Sequence, residues 1–111
     1  MHLYGTQLVN EKGHLTIGSV DTVDLAKLYG TPLIVYDIHL FRERARAFKK
    51  TFSNSGLQAQ VAYASKAFSS IAIYEVAEQE GLSLDVVSGG ELYTAVRAVF
   101  PRERIHFPGN N

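Results

Sequence analysis

Apolar and polar positions along this chain switch between two periods, and the switches mark out its elements. From 59 to 65 the period is two: Val61, Tyr63 and Ser65 share one strand face, and Ala62, Ala64 and Lys66 share the other. Helical spacing follows in Ile73, Val76 and Ala77, with Ser69 or Ser70 placed to cap the helix and Gly81 to close it. Leu84-Asp85-Val86-Val87 predicts the next strand. Ser88-Gly89-Gly90-Glu91 opens another helix, with Leu92, Ala95, Val96 and Val99 on its inner stripe and Phe100-Pro101 as its stop. Ile105-His106-Phe107 is a third strand. Strands thus recur about every 22 residues with a helix between each pair, the rhythm of a parallel sheet.

The earlier part of the chain is patterned differently. Gly5, Gly13 and Gly18 punctuate short apolar pieces, Leu8-Val9 and Leu15-Thr16-Ile17, which predict strands or loops with turns between them. Asp21 and Asp24 mark a helix start, Leu25 and Leu28 its stripe and Gly30 its end, so a short helix is expected at about 22 to 29. Leu33 to Tyr36 reads as a strand, and Asp37 as the cap of a helix carrying Phe41, Ala45, Phe48 and Phe52. Arg42, Arg44, Arg46, Lys49 and Lys50 occupy its other faces and read as a solvated surface rather than a phosphate site.

Composition narrows the function classes. With 111 residues, 46% apolar and 20% charged, the chain suits one modest core. Eleven basic residues balance eleven acidic ones, so no field of one sign invites nucleic acid or an anionic membrane, and a small-molecule function is expected. There is no cysteine, which removes disulfides, thiolate metal sites and cysteine nucleophiles together. His2, His14, His39 and His106 lack paired metal-ligand spacing and are assigned no metal. A basic-then-apolar leader and a long apolar span are both missing from the sequence, so a cytoplasmic protein is expected.

The candidate chemistry lies where strands give way to helices. Lys66 shares its face with two alanines, which leave a hollow that Phe68 could keep dry; a desolvated lysine is a better nucleophile towards aldehydes. The competing reading is a strand-end lysine that reaches out to water. Asp85 sits opposite Leu84 and Val86 and is expected to point away from the helices, with Lys66 as its natural partner. Ser88 and Glu91 fit a capping box, which accounts for both; alternatively Glu91 helps Asp85 hold or deprotonate the lysine. Gly89-Gly90 could cradle a phosphate, though without a full phosphate-loop pattern. Lys66, the 85 to 88 turn and Gly109-Asn110-Asn111 all follow strands, where βα barrels build their sites, and a barrel takes roughly 250 residues. A fragment of a longer enzyme is therefore expected.

Tyr63-Ala64-Ser65-Lys66-Ala67-Phe68, Leu84 to Leu92 and Ile105 to Asn111, together with Tyr29-Gly30-Thr31-Pro32-Leu33 and Tyr36-Asp37, resemble the N-terminal part of the bacterial diaminopimelate decarboxylases. These belong to the alanine-racemase-like, fold type III pyridoxal phosphate enzymes. The tyrosine-alanine-x-lysine-alanine motif is common to that wider group; the serine-glycine-glycine-glutamate and glycine-asparagine-asparagine stretches narrow it to the diaminopimelate branch. Pro108 departs from the pattern, which often has histidine there. The resemblance implies an α/β protein that begins a β/α (TIM-type) barrel, residues 33–111, after a β-rich segment, residues 1–32, belonging to a second, β-sheet domain. It implies Lys66 as the residue that carries pyridoxal 5'-phosphate, Lys66, Asp85 and Glu91 as catalytic residues, an amino-acid substrate and a homodimer. Three other readings stay open: an ornithine or arginine decarboxylase or racemase of the same fold, a non-catalytic pyridoxal phosphate carrier, and a βα module in which Lys66 is structural.

Overall fold

A computed structural model describes residues 2–108 of the chain, so the expected loop at Gly109-Asn110-Asn111 lies outside the described residues. The fold is α/β and divides into two compact units, Met1–Phe41 and Arg42–Asn111.

In the first unit, strands β1 (Leu8–Val9), β2 (Leu15–Ile17) and β3 (Val20–Asp21) form an antiparallel sheet in chain order. Helix α1 (Thr22–Tyr29) packs against β2 and β3 and starts where expected. Asp21 caps it by accepting from Val23 N at 2.8 Å, and the same carboxylate takes His14 Nδ1 at 2.9 Å and Asn10 Nδ2 at 2.8 Å. These partners, His14 above all, hold Asp21 at a pKa of about 2. The strand expected at Leu33 to Tyr36 does not form. The segment is extended coil and Ile34 is 80% exposed, because an apolar run becomes a strand only where another strand completes its ladder. Asp37 caps the next helix as the sequence implies: Leu40 N donates to Oδ1 at 3.0 Å, and the Thr6 hydroxyl donates to Oδ2.

That helix, α2 (Ile38–Asn54), runs through the boundary between the units. In the second unit, β4 (Ala62–Ala64), β5 (Ser83–Asp85) and β6 (Ile105–His106) form a parallel sheet in that order, with α3 (Ile71–Gln79) and α4 (Gly89–Arg97) as crossovers. The register pairs Tyr63 with Leu84 and Leu84 with Ile105, then Ala64 with Asp85 and Asp85 with His106. Paired residues in parallel strands point the same way, so Tyr63, Leu84 and Ile105 make one face and Ala64, Asp85 and His106 the other. The first face is the core side. Leu84, Val86, Tyr74, Ala77 and Ala95 are fully buried, and Ile73, Leu82 and Phe100 nearly so.

Each parallel strand is shorter than the sequence pattern suggested, since ladder pairing stops before the alternation does. The stripe of α4 also shifts. Ala95 is buried as expected, but Val96 and Val99 are exposed, and the residue that joins Ala95 inside is Glu91.

Candidate active site

Lys66 follows the last residue pair of β4, in a single 3-10 turn, Ser65–Ala67. The sequence pattern carried the strand through Ser65; instead the chain turns there, and several bonds brace the turn. Tyr63 Oη donates across it to the Phe68 carbonyl at 2.7 Å, Ser69 Oγ meets Tyr74 Oη at 2.7 Å, and Ser70 caps α3 by accepting from Ile73 N at 3.2 Å. Lys66 is exposed. The dry hollow expected around it is not built by the described residues, because alanines wall in nothing and Phe68 lies beyond the turn.

Asp85 ends β5 on the same side of the sheet as Ala64, partly exposed as the alternation requires. The expected ion pair with Lys66 does not form: among the described residues neither side chain has a charged partner. Their relation is a shared strand end, Lys66 following β4 and Asp85 closing β5. His106, the register partner of Asp85 on β6, belongs to the Asp85 face of the sheet. In the sequence His106 reads as a residue of the third strand with no metal role; its alternation with Ile105 puts it on the opposite strand face, and the register sets it beside Asp85.

Glu91 is arranged differently from the expectation of a carboxylate facing Lys66. It is buried, 8% exposed. Its Oε2 accepts from Val87 N at 2.9 Å and its Oε1 lies 2.9 Å from Ser65 Oγ. Ser88 Oγ accepts from Glu91 N at 3.1 Å, which completes the start of α4. Ser88 Oγ thus makes its half of the capping box, while the Glu91 carboxylate reaches back to Val87 N, one residue before the cap. Burial alone would push the Glu91 pKa up; the Val87 amide and the Ser65 and Ser88 groups outweigh it, so the carboxyl is held below its ordinary value and is ionised at neutral pH.

Ser65 is the residue that sequence reasoning missed. It is fully buried, and its hydroxyl also lies 2.9 Å from the Asp85 carbonyl, so β4, β5 and α4 meet on one side chain. The signal was present: a serine facing the helices in an apolar alternation needs a buried polar partner, and a capping-box glutamate one crossover later supplies it.

An open cleft of about 710 Å³ lies elsewhere, lined by Lys49, Phe52, Gly56, Leu57 and Gln60 before β4 begins. Its one charged group, Lys49 Nζ, is bonded to the Glu80 carbonyl at 2.8 Å. The reactive groups gather instead at the opposite, C-terminal end of the strands, where α/β enzymes place their chemistry.

A parallel βαβαβ sheet with Lys66 just past the C-terminal end of one strand and Asp85 on the next defines the class as an α/β domain. The chain belongs to the pyridoxal-dependent decarboxylase family, whose pyridoxal binding domain matches residues 38–111. Over its whole length it is 68% identical to the diaminopimelate decarboxylases of Bacillus methanolicus and Bacillus subtilis, covering 26% and 25% of those proteins. Across 92% of the chain it is 46% identical to that of Mycobacterium leprae, 21% of which is covered. The crystal structure of diaminopimelate decarboxylase from M. jannaschii superposes with a TM-score of 0.77 at 37% identity, over 96% of this chain and 25% of that one. AQ1208 from Aquifex aeolicus superposes with a TM-score of 0.80, also at 37% identity, over 90% of this chain and 24% of that one. The chain thus spans about a quarter of the length of the curated relatives it matches.

Proposed function

We propose that this chain supplies the lysine-bearing part of a pyridoxal phosphate-dependent carboxy-lyase that converts meso-2,6-diaminopimelate to L-lysine and carbon dioxide, the last step of lysine biosynthesis. The observation that carries the reading is Lys66, an exposed primary amine in the turn that follows β4, beside a strand whose exposed side chains are Ala62 and Ala64. Such a setting fits a flat, ring-shaped group: the amine is accessible and the methyl groups leave room for the ring. When bound, pyridoxal 5'-phosphate supplies an electron sink for the pair left behind as carbon dioxide departs. The chain's own contribution is to present the Lys66 amine, to keep the Asp85 carboxylate at the neighbouring strand end for proton movement at Lys66 Nζ, and to fix the turn that carries the lysine.

The near-complete match to proteins named diaminopimelate decarboxylase supports the substrate, and the co-complex of the M. jannaschii enzyme with L-lysine supports the product. On the same reading, residues 33–111 begin a β/α barrel, residues 1–32 contribute to a second, β-rich domain, and the complete enzyme is a cytoplasmic homodimer. Among the described residues no helix is long and apolar enough to cross a membrane.

The test uses a chimera in which residues 1–111 replace the matching quarter of the B. subtilis relative. With pyridoxal phosphate it is expected to release carbon dioxide from diaminopimelate in preference to ornithine, arginine and lysine, and Lys66→Ala is expected to abolish both release and borohydride-fixed cofactor. Release from ornithine or arginine would move the enzyme to another branch. Cofactor fixed elsewhere than Lys66 would overturn the assignment.

A further inference from the structure

We infer that Ser65, held by Glu91, is a positioning residue for Lys66, so that Glu91 serves the site through the backbone rather than by facing the reacting atoms. The inference rests on the reading of Lys66 as the cofactor-carrying amine. Ser65 immediately precedes Lys66 and opens the turn that carries it. Its hydroxyl has one proton, with two acceptors at 2.9 Å, the Asp85 carbonyl and Glu91 Oε1. An ionised carboxylate is the stronger acceptor, and Glu91 is itself fixed by Val87 N and by the α4 cap. The Lys66 turn is thereby tied at its first residue to the start of α4, with the Asp85 carbonyl as the alternative acceptor for the same proton. Tyr63 Oη ties the far end at Phe68. A lysine side chain has four rotatable bonds, so its placement begins with the backbone that carries it. Ser65 holds that backbone.

The arrangement also explains why the buried Glu91 carboxylate bonds to the residue beside Lys66 and not to Lys66 itself. With Val87 N and Ser65 Oγ bound, Glu91 has no need of the ammonium, and Lys66 stays available.

In the loaded chimera, Ser65→Ala and Glu91→Gln are each expected to lower kcat about 10–100-fold per folded molecule, as loss of a supporting hydrogen bond does at sites of exact geometry, with KM little changed. They are also expected to slow covalent capture of pyridoxal phosphate at Lys66, measured by borohydride fixation and peptide mapping. Ser65→Thr, which keeps the hydroxyl, is expected to recover most of what Ser65→Val, of the same shape, loses. Because both residues act through one bond, the Ser65→Ala/Glu91→Gln double variant should be no slower than the worse single variant. Wild-type kcat and capture rate in Ser65→Ala, equal behaviour of the Thr and Val variants, or losses that multiply in the double variant would each overturn the positioning role. Failure of the unmodified chimera to fix cofactor at Lys66 would instead sink the parent reading, and the positioning role with it.

Discussion

Val99 occupies a backbone conformation that a β-branched residue avoids, with φ +55°. The reason is the way α4 ends. Phe100 N bonds to Ala95 O at 3.1 Å and Val99 N to Val96 O at 3.0 Å, the paired bonds of a helix stop that needs a left-handed residue at its turning point. Helix α3 ends with the same two bonds, Leu82 N to Ala77 O and Gly81 N to Glu78 O, but places Gly81 at the turn, φ +72°. Val99 is 86% exposed, so its side chain returns no packing for the strain. In the chimera, Val99→Gly is expected to raise stability by about 1 kcal/mol, seen as a higher urea midpoint at unchanged slope. The converse, Gly81→Ala, is expected to lower it by about 1–2 kcal/mol, because the new methyl would also lie 2.7 Å from Lys49 Nζ. A lower midpoint for Val99→Gly would mean that strain at this position is not what limits the helix end. The sequence alone placed Val99 on the inner stripe of α4. Hydrophobic periodicity counts the side chain as core and carries no information on where the helix bonds stop, so the left-handed turn was invisible.

At the scale of elements, α2 and α3 are joined by charge. Arg42, Arg46 and Lys49 recur along one face of α2 and converge on Glu80 just past the end of α3. Arg42 Nη1 reaches Glu80 Oε2 at 2.8 Å, Arg46 Nε reaches Oε1 at 2.7 Å, and Lys49 takes the backbone carbonyl. The sequence reading of a solvated basic face holds for Arg46 and Lys49, which are exposed, and less for half-buried Arg42; what it lacked is the partner, since a charge run shows none until a crossover brings a distant glutamate against it. Arg46, then Arg42, holds the Glu80 carboxyl at about 2, below its model-peptide value of 4.5. A depressed carboxylate stabilises the fold above its unfolded pKa, and the contribution fades as pH falls from about 4.5 towards about 2. Replacing Glu80 with Gln in the chimera is expected to cost about 1–3 kcal/mol at pH 7, a gap that narrows below pH 4.5 and closes near pH 2. Thermal melts of both proteins across that range would show it, and a gap independent of pH would exclude ionisation as its origin. The order of elements, by contrast, was legible: the switch between periods two and 3.6 located α1, α3, α4 and all three parallel strands, because caps such as Asp21, Ser70 and Ser88 are local. The missing strand at 33 to 36 depended on a partner, which local pattern cannot supply.

On the scale of the whole chain, the parallel sheet has one covered face and one open one. Helix-side residues such as Leu84 and Val86 are fully buried, while Ala64 and His106 on the other side are exposed. Parallel sheets are stable when both faces are covered, and among the described residues β4 and β6 are the edge strands of this sheet. On the proposed reading Asp85 lies on the open face and Lys66 at the neighbouring strand end, while Glu91 is buried; the remaining walls of such a site would come from strands and loops that the described residues do not include, and the local pattern around Lys66 carries no information on them. The isolated 111-residue chain is accordingly expected to release no carbon dioxide from diaminopimelate at saturating pyridoxal phosphate, whereas the chimera, which closes the sheet and covers the face, turns over. The same contrast should appear in amide exchange: β4 and β6 amides are expected to exchange fast in the isolated chain and to become protected in the chimera, with the buried β5 amides differing least. Turnover by the isolated chain near the rate of the chimera would mean that three strands suffice to exclude water and orient the substrate, and the dependence of Lys66 on surrounding structure would have to be abandoned.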